Sequence, residues 1–373
     1  MRVVLDATPL LGRPTGVGRT VQGLLAGLAE LAADTPDVPD PGLATFTWRG
    51  RDGLPAVPRG HAVGRRAPAR LLHEAWARGP LPPAEWLVGR CDVLHATNFV
   101  LPPTRRAAGT VLVHDLTYLR HPEWTTPAVQ RYAALVPRAV ARAAFVLTPS
   151  ETVADDLAEA YGLPRERVRA TPLGVDPAWA NTPAPSPAWL RQRGLPPRYL
   201  LFVGTREPRK GLATLLAAHA ALRAEAGARG DGVPPLVLAG PAGWGDDGLP
   251  PGGSGADLVL PGYLTDADLR AVVAGAAALA FPSGYEGFGL PPLEALACGT
   301  PVVASDLPVV REVTGALARL VPAGDVDAWA QALRDVLADP GPAEPRRAWA
   351  RQWTWRRTAE ATLRAWRDAV AAA

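Results

Sequence analysis

The chain has 373 residues, a formal net charge of +3, 48% hydrophobic residues and 6% aromatic ones. That length suits two domains, each able to bury its own core. The small charge, with no stripe of interleaved basic and aromatic residues, argues against nucleic-acid binding. Cys91 and Cys298 are far apart and form no C-x-x-C pair, so neither a disulfide framework nor a zinc site is expected.

In chain order, residues 2–7 read as a buried strand. Asp6 interrupts any signal-peptide core, and the longest uncharged apolar run, 271–281, is too short to span a bilayer. A soluble, cytoplasmic protein is expected. Gly12-Arg-Pro-Thr-Gly-Val-Gly-Arg19 is a glycine-rich loop, and residues 20–31 have the apolar spacing of a helix. Strand, glycine loop and helix open a Rossmann-like unit. The spacing is not G-x-G-x-x-G, however, and no acidic residue ends a second strand at the expected place, which weakens a dehydrogenase reading. Residues 35–41 read as a Pro/Asp linker. Residues 59–78 carry five arginines around Leu71, Leu72 and Trp76. A solvated basic helix is the commoner meaning of such a stretch; a peripheral contact with the inner face of an anionic membrane is the alternative.

Residues 92–103 and 111–118 are apolar strands ending in polar groups, His95 and Asn98 in the first, His114 and Asp115 in the second. Ligand groups in open parallel sheets gather outside strand carboxyl ends. A histidine at a strand end is often structural; the repetition favours the site for His114 and leaves His95 evenly balanced. Residues 131–147 read as a helix followed by a strand. Ser150 can then cap a helix whose first turn holds Glu151, complementing the dipole.

Residues 181–198, rich in Pro, Ala and Arg, read as a linker with a short helix. Strand 199–203, loop Gly204-Thr-Arg-Glu-Pro-Arg-Lys-Gly211 and helix 212–222 follow. Cations beside a helix N-terminus are unfavourable on dipole grounds, and a bound diphosphate would resolve the conflict. Of the 39 basic residues Lys210 is the single lysine, which suggests that a compact ammonium is needed there. Strands 236–240, 258–263 and 278–281 alternate with helices such as 266–277, and 244–255 reads as a flexible Gly/Pro/Asp loop. A tryptophan-rich helix is expected around 353–370.

The most informative stretch is Phe281-Pro-Ser-Gly-Tyr-Glu-Gly-Phe-Gly-Leu-Pro-Pro-Leu-Glu-Ala-Leu-Ala-Cys-Gly-Thr-Pro-Val-Val-Ala-Ser-Asp306. It reads as a strand end, a glycine loop, a helix and a second strand over 301–304. Pro291 and Pro292 suit a first helical turn and Gly299 a C-terminal stop. A glycine loop entering a helix N-terminus can hold a phosphate-like anion. Glu286 lies in that loop and Glu294 eight residues on.

This stretch resembles the E-x7-E signature of retaining glycosyltransferases with the GT-B fold, family 4, group 1, which includes bacterial mannosyltransferases and sucrose synthases. The GVGR run 16–19, the HDL run 114–116, the LGVD run 173–176 and the EPRKG run 207–211 extend the resemblance over nearly the whole chain. It implies an α/β architecture of two Rossmann-like domains facing a central cleft. The acceptor domain would cover 1–178 and the nucleotide-sugar domain 179–352, with a C-terminal helix over 353–373 packing back on the first domain. It further implies that Arg209 and Lys210 meet the donor diphosphate. Because Thr205 stands where other members have an arginine after the glycine, the choice between Arg206 and Arg209 stays open. Glu286 would meet the sugar and Glu294 the ribose, with Gly262 and Tyr263 at the base. Gly16, Gly18, Arg19, Thr205, Gly287, Phe288, Gly289 and Leu290 would complete the donor side. His114 would be catalytic, and His95, Asn98 and Asp115 would face the acceptor.

The implied reaction is retaining transfer of a hexosyl group, mannose first, from a nucleotide-diphosphate sugar such as GDP-mannose to a glycan, lipid-linked or small-molecule hydroxyl. No metal or other cofactor is expected, because two cations neutralise the leaving diphosphate. Paired carboxylates could also serve a glycosidase, but the cationic loop favours nucleotide-sugar transfer. An inactive sugar-nucleotide-binding homologue, or another GT-B enzyme such as an epimerase, remains the alternative. A phosphorylase would need a lysine for pyridoxal phosphate, and the single lysine lies in the diphosphate loop.

Overall fold

The computed structural model describes all residues except 13, 14, 49, 230, 231, 246–248, 250–254 and 256. Most of the loop expected over 244–255 therefore lies outside the described residues, as do positions 13 and 14 of the loop at 12–19. The chain divides into two compact units, Met1–Gly174 with Trp353–Ala373, and Val175–Gln352. The first division falls inside the Leu-Gly-Val-Asp run at 173–176.

Among the described residues, the first unit holds seven parallel strands: β1 Val3–Asp6, β2 Gly42–Ala44, β3 His61–Val63, β4 Val93–Ala96, β5 Ala108–Leu112, β6 Phe145–Thr148 and β7 Val168–Ala170. Their order is β3-β2-β1-β4-β5-β6-β7, the doubly wound Rossmann arrangement with one strand added. Strands β1, β4 and β5 are buried almost throughout, as expected for a parallel sheet covered on both faces. The sequence reading passed over β2 and β3, because three residues containing a glycine or an exposed histidine make no apolar run.

The first helix runs Gly16–Ala32 and so begins four residues before its apolar spacing does. Thr15 explains the early start: its side chain accepts the Gly18 N–H at 3.2 Å, an N-cap bond. Gly16, Gly18 and Arg19 thus stand in a first helical turn, not in a loop. The last helix, Trp355–Ala371, is capped by Thr354 and buries Ala359, Leu363 and Trp366 along one stripe. That stripe joins Leu5, Leu25 and Leu28 in a single core, so the C-terminal helix is part of the first unit. Contact is close because Gly23 and Gly27, one turn apart, leave space for Trp355.

Helix Ala69–Arg78 contains part of the basic stretch. Its Leu72 and Trp76 are buried within the unit, and Trp76 Nε1 donates to Pro82 O at 2.9 Å; of the three apolar residues only Leu71 is exposed. Two of the three apolar residues in the stretch weighed for a membrane contact are therefore core.

The second unit holds β8 Leu200–Val203, β9 Leu236–Ala239, β10 Leu258–Gly262, β11 Ala278–Phe281, β12 Val302–Ser305 and β13 Ala318–Val321. These are again parallel, in the order β10-β9-β8-β11-β12-β13. Phe202, Leu215, Trp329 and Leu333 anchor the core beneath them. Strand order reverses between β8 and β11, and the loops leaving those two strands are the ones that hold Arg209, Lys210 and Glu286.

Candidate functional site

Strand β8 delivers its chain to the sheet edge at Gly204, and a 3-10 turn over Pro208–Lys210 follows. Gly211 then adopts a left-handed φ of 64°, and helix Leu212–Arg229 begins. Strand β11 delivers Pro282, from which the glycine loop leads into helix Leu290–Cys298. The two loops are fastened together. Gly284 N donates to Arg209 O at 2.8 Å, and Arg209 Nη1 donates to Tyr285 O at 3.4 Å.

Glu286 closes this junction. Its Oε1 accepts from Lys210 Nζ at 2.6 Å and its Oε2 from Arg209 Nη1 at 2.9 Å. Arg209 also pairs through Nε with Glu207 Oε1 at 2.5 Å, so two carboxylates and two cations alternate. Glu207, Lys210 and Glu294 are all buried. Burial alone would raise the Glu286 carboxyl, but Arg209 and Lys210 outweigh it and hold the group down at about 2. Burial, then the neighbouring Arg209, pull the Lys210 ammonium below its ordinary value, while Glu286 pulls the other way. The Lys210 ammonium also lies 5.4 Å from the Phe281 ring centroid, a cation–π contact.

The other second-unit residues expected on the donor side lie at the carboxyl end of the same sheet, whereas Gly16, Gly18 and Arg19 belong to the first unit. Thr205 and Arg206 run beside residues 241–243; Arg206 N donates to Pro241 O, and a Cβ on Gly243 would lie 2.2 Å from Arg206 O. Gly262 ends β10 with φ 74°, and Tyr263 beside it is half exposed. Gly289 caps the next helix with φ 102°, and Pro291 and Pro292 occupy its first turn. Because prolines carry no N–H, any backbone donor offered to a ligand at this end comes from Leu290 and the residues before it. Glu294 is buried one turn further on.

In the first unit, His114 Nε2 donates to Thr97 O at 2.9 Å, which leaves Nδ1 as the acceptor nitrogen. Burial holds this imidazole below its usual value. Asp115 Oδ1 accepts the N–H of Thr117 at 2.9 Å and so helps to start helix Thr117–Arg120. Asn98 hydrogen-bonds the Tyr132 side chain. His95 does not join them. It lies fully within the core, its Nδ1 2.9 Å from Thr110 Oγ1 and its ring 5.6 Å from Trp366. Burial, with the nearby His114, pushes it down to about 3, so it is a neutral packing residue. Its place inside β4, and not beyond it, is the reason: alternate residues of a fully covered strand all face packing.

Sequence reasoning assigns Glu207 no role, although its position one residue before Pro208, beside two cations, is a signal for one. Asp6 was read only as a break in an apolar run. It lines a cavity with Asn98 and Tyr132.

Residues 197–339 match the family described as glycosyl transferases group 1, and residues 14–179 match Glycosyltransferase Family 4. O-antigen chain mannosyltransferase B of Escherichia coli is 32% identical over 312 residues, covering 80% of this chain and 78% of that enzyme. D-inositol 3-phosphate glycosyltransferase of Salinispora arenicola is 34% identical over 257 residues, and there the match spans 62% of this chain and 56% of that enzyme. The solved structure of sucrose-phosphate synthase from Thermosynechococcus elongatus superimposes with a TM-score of 0.71 over 100% of both chains at 21% identity, a likeness of fold.

Proposed function

From a chain that belongs to glycosyltransferase family 4, group 1, with the two Rossmann-like units of the GT-B fold, we propose retaining transfer of a hexosyl group from a nucleotide-diphosphate sugar to a hydroxyl acceptor. Mannose is the first choice of sugar, GDP-mannose of donor, and a glycan or lipid-linked glycan of acceptor. The carrying observation is Glu286 bridging Arg209 and Lys210 where the strand order of the second unit reverses. Ligands of open α/β sheets bind at that point.

Negative charge grows on the diphosphate as the glycosidic bond breaks. Cations already fixed in place stabilise that state without reorganising, which is often the largest single catalytic contribution. Glu286 and Glu207 supply the fixing for Arg209, and Glu286 does so for Lys210. The Glu286 carboxylate can take more hydrogen bonds than its two cations use, so it can also accept from a sugar hydroxyl. Glu294 would accept from the ribose, and Gly262 with Tyr263 would lie at the base. His114, neutral and with its Nε2–H committed to Thr97 O, would act through Nδ1. Two cations at the leaving group make a divalent metal unnecessary in this reading. The acceptor hydroxyl would enter on the face that the diphosphate leaves, which retains the anomeric configuration.

A donor screen with EDTA present tests this reading. GDP-, UDP-, dTDP- and ADP-sugars are compared by calorimetry and by released nucleotide. One donor is expected to bind saturably or hydrolyse slowly, with loss of both in Lys210→Ala. Absence of binding to every donor at millimolar concentration would overturn catalysis, and a strict requirement for a divalent ion would overturn metal independence.

A further inference from the structure

A cavity of about 140 Å³ opens in the first unit at the carboxyl ends of β1, β2 and β4. Strands β1 and β4 flank the point where that sheet's order reverses, the place where open α/β sheets bind ligands. Its size is that of one six-membered ring: a cavity of roughly 150 Å³ holds benzene. Asp6, His73, Asn98 and Tyr132 give the lining hydrogen-bonding groups. Phe46 and Trp76, edge to face at 5.5 Å, give it an aromatic part. Polar groups converging beside aromatic carbon suit a saturated ring with hydroxyls on its rim and C–H bonds on its faces.

Charge narrows the ligand further. Asp6 is the acidic residue of the lining, and no Lys or Arg is among the described residues that line it. One oxygen, Oδ1, accepts the Thr8 N–H at 2.9 Å. Burial raises the carboxyl above its ordinary value, with Thr8 pulling it partly back, so further hydroxyl donors would stabilise the charged form. Burial, helped by the charge of Arg131, pushes His73 down, so the imidazole supplies no cation. Arg131 itself stands outside the lining, its Nε directed to Ala128 O at 3.4 Å.

We propose that this cavity receives one uncharged polyhydroxylated ring, the terminal sugar of the acceptor, and that Asp6 sets specificity by accepting ring hydroxyls and excluding anionic substituents. The proposal rests on the transferase reading above. With ring hydroxyls holding Asp6 in its charged form, the carboxylate accepts strong hydrogen bonds but has no proton to offer a phosphate. A phosphorylated ring, such as the inositol phosphate in the name of one relative, would meet the carboxylate with no cation in the lining itself to pair with the phosphate.

The test compares methyl α-mannopyranoside with mannose 6-phosphate on the full chain, by ligand-observed NMR with the selected donor bound. Saturable binding of the neutral glycoside is expected, with the phosphorylated ring about tenfold weaker or worse. Asp6→Asn should weaken the neutral ring by a similar factor and narrow the gap between the two. Equal or tighter binding of mannose 6-phosphate to the unaltered protein overturns the proposal, whatever the variant's folding. So does an unchanged ratio in a folded Asp6→Asn protein, or no saturable signal from the neutral ring. Donor binding without ring binding defeats this inference alone; loss of donor binding defeats the transferase reading.

Discussion

Gly211 lies so near Pro282 that a Cβ placed on it would fall 2.1 Å from the Pro282 carbonyl oxygen. Its φ of 64° adds a second reason for glycine, since the left-handed region is costly for residues with a Cβ. The contact joins the loop after β8 to the loop after β11, and the Glu286 bridge to Arg209 and Lys210 spans the same junction.

Gly211→Ala should therefore separate the two loops. We expect destabilisation of about 2 kcal/mol or more, since strain and overlap act together. Donor affinity should fall further than the stability loss explains, because Arg209 and Lys210 move with the loop. Thermal unfolding beside donor calorimetry on the same preparation measures both; unchanged affinity would show that the loop position does not matter.

Lys210→Ala and Glu286→Gln should fail differently. Losing Lys210 would remove an ammonium from the diphosphate and leave Glu286 paired with Arg209, so donor binding should be lost and kcat/KM should fall about 100- to 1000-fold or more. Glu286→Gln keeps both cations but loosens their fixing; donor binding should persist while kcat falls. Steady-state kinetics on both variants checks the distinction. Equal kcat/KM in either variant and the unaltered protein would remove that residue from the mechanism.

His95 should shape acid stability and leave the activity profile alone. Its folded-state value, about 3, lies below the ordinary 6.5, so the unfolded chain binds the proton more readily. By linkage, stability from this group is lost as pH falls below about 6.5 and continues to fall towards about 3. Replacing His95 with Gln should flatten that part of the denaturation midpoint-versus-pH curve without displacing the pH optimum of turnover. A displaced optimum would return His95 to the site.

Gly27→Ala should loosen the C-terminal helix. A Cβ there would lie 2.0 Å from the Trp355 carbonyl oxygen, and one on Gly23 would lie 2.2 Å from the Trp355 ring. Neither backbone nor an indole seated against the two glycines yields easily, so a loss of about 1–3 kcal/mol is expected. Hydrogen exchange of residues 355–371 should accelerate in the variant. Unaltered protection would mean that the helix does not depend on this groove.

The strand, loop and helix of the Glu286 region were legible in the residues, because Pro291, Pro292 and Gly299 punctuate the chain locally and glycines mark the turns. The same holds for Ser150, whose side chain accepts the Val153 N–H at 3.2 Å as an N-cap should. The start of the first helix was not legible, since its apolar stripe begins after the Thr15 cap. Strands β2 and β3 were missed because three residues carry no period.

Which charged groups stand together is a different kind of fact. Glu286 lies 76 residues from Lys210, and only the parallel pairing of β8 with β11 brings their loops to one sheet edge. The sequence determined the kinds of group available, the two-unit α/β design and the family, since local periodicity, turn chemistry and motif spacing are written along the chain. Tertiary structure alone decided that Glu207 and Glu286 flank Arg209, that His95 is core, and that Asp6 opens into a cavity. Those outcomes depend on register and strand order, which no short stretch of residues encodes by itself.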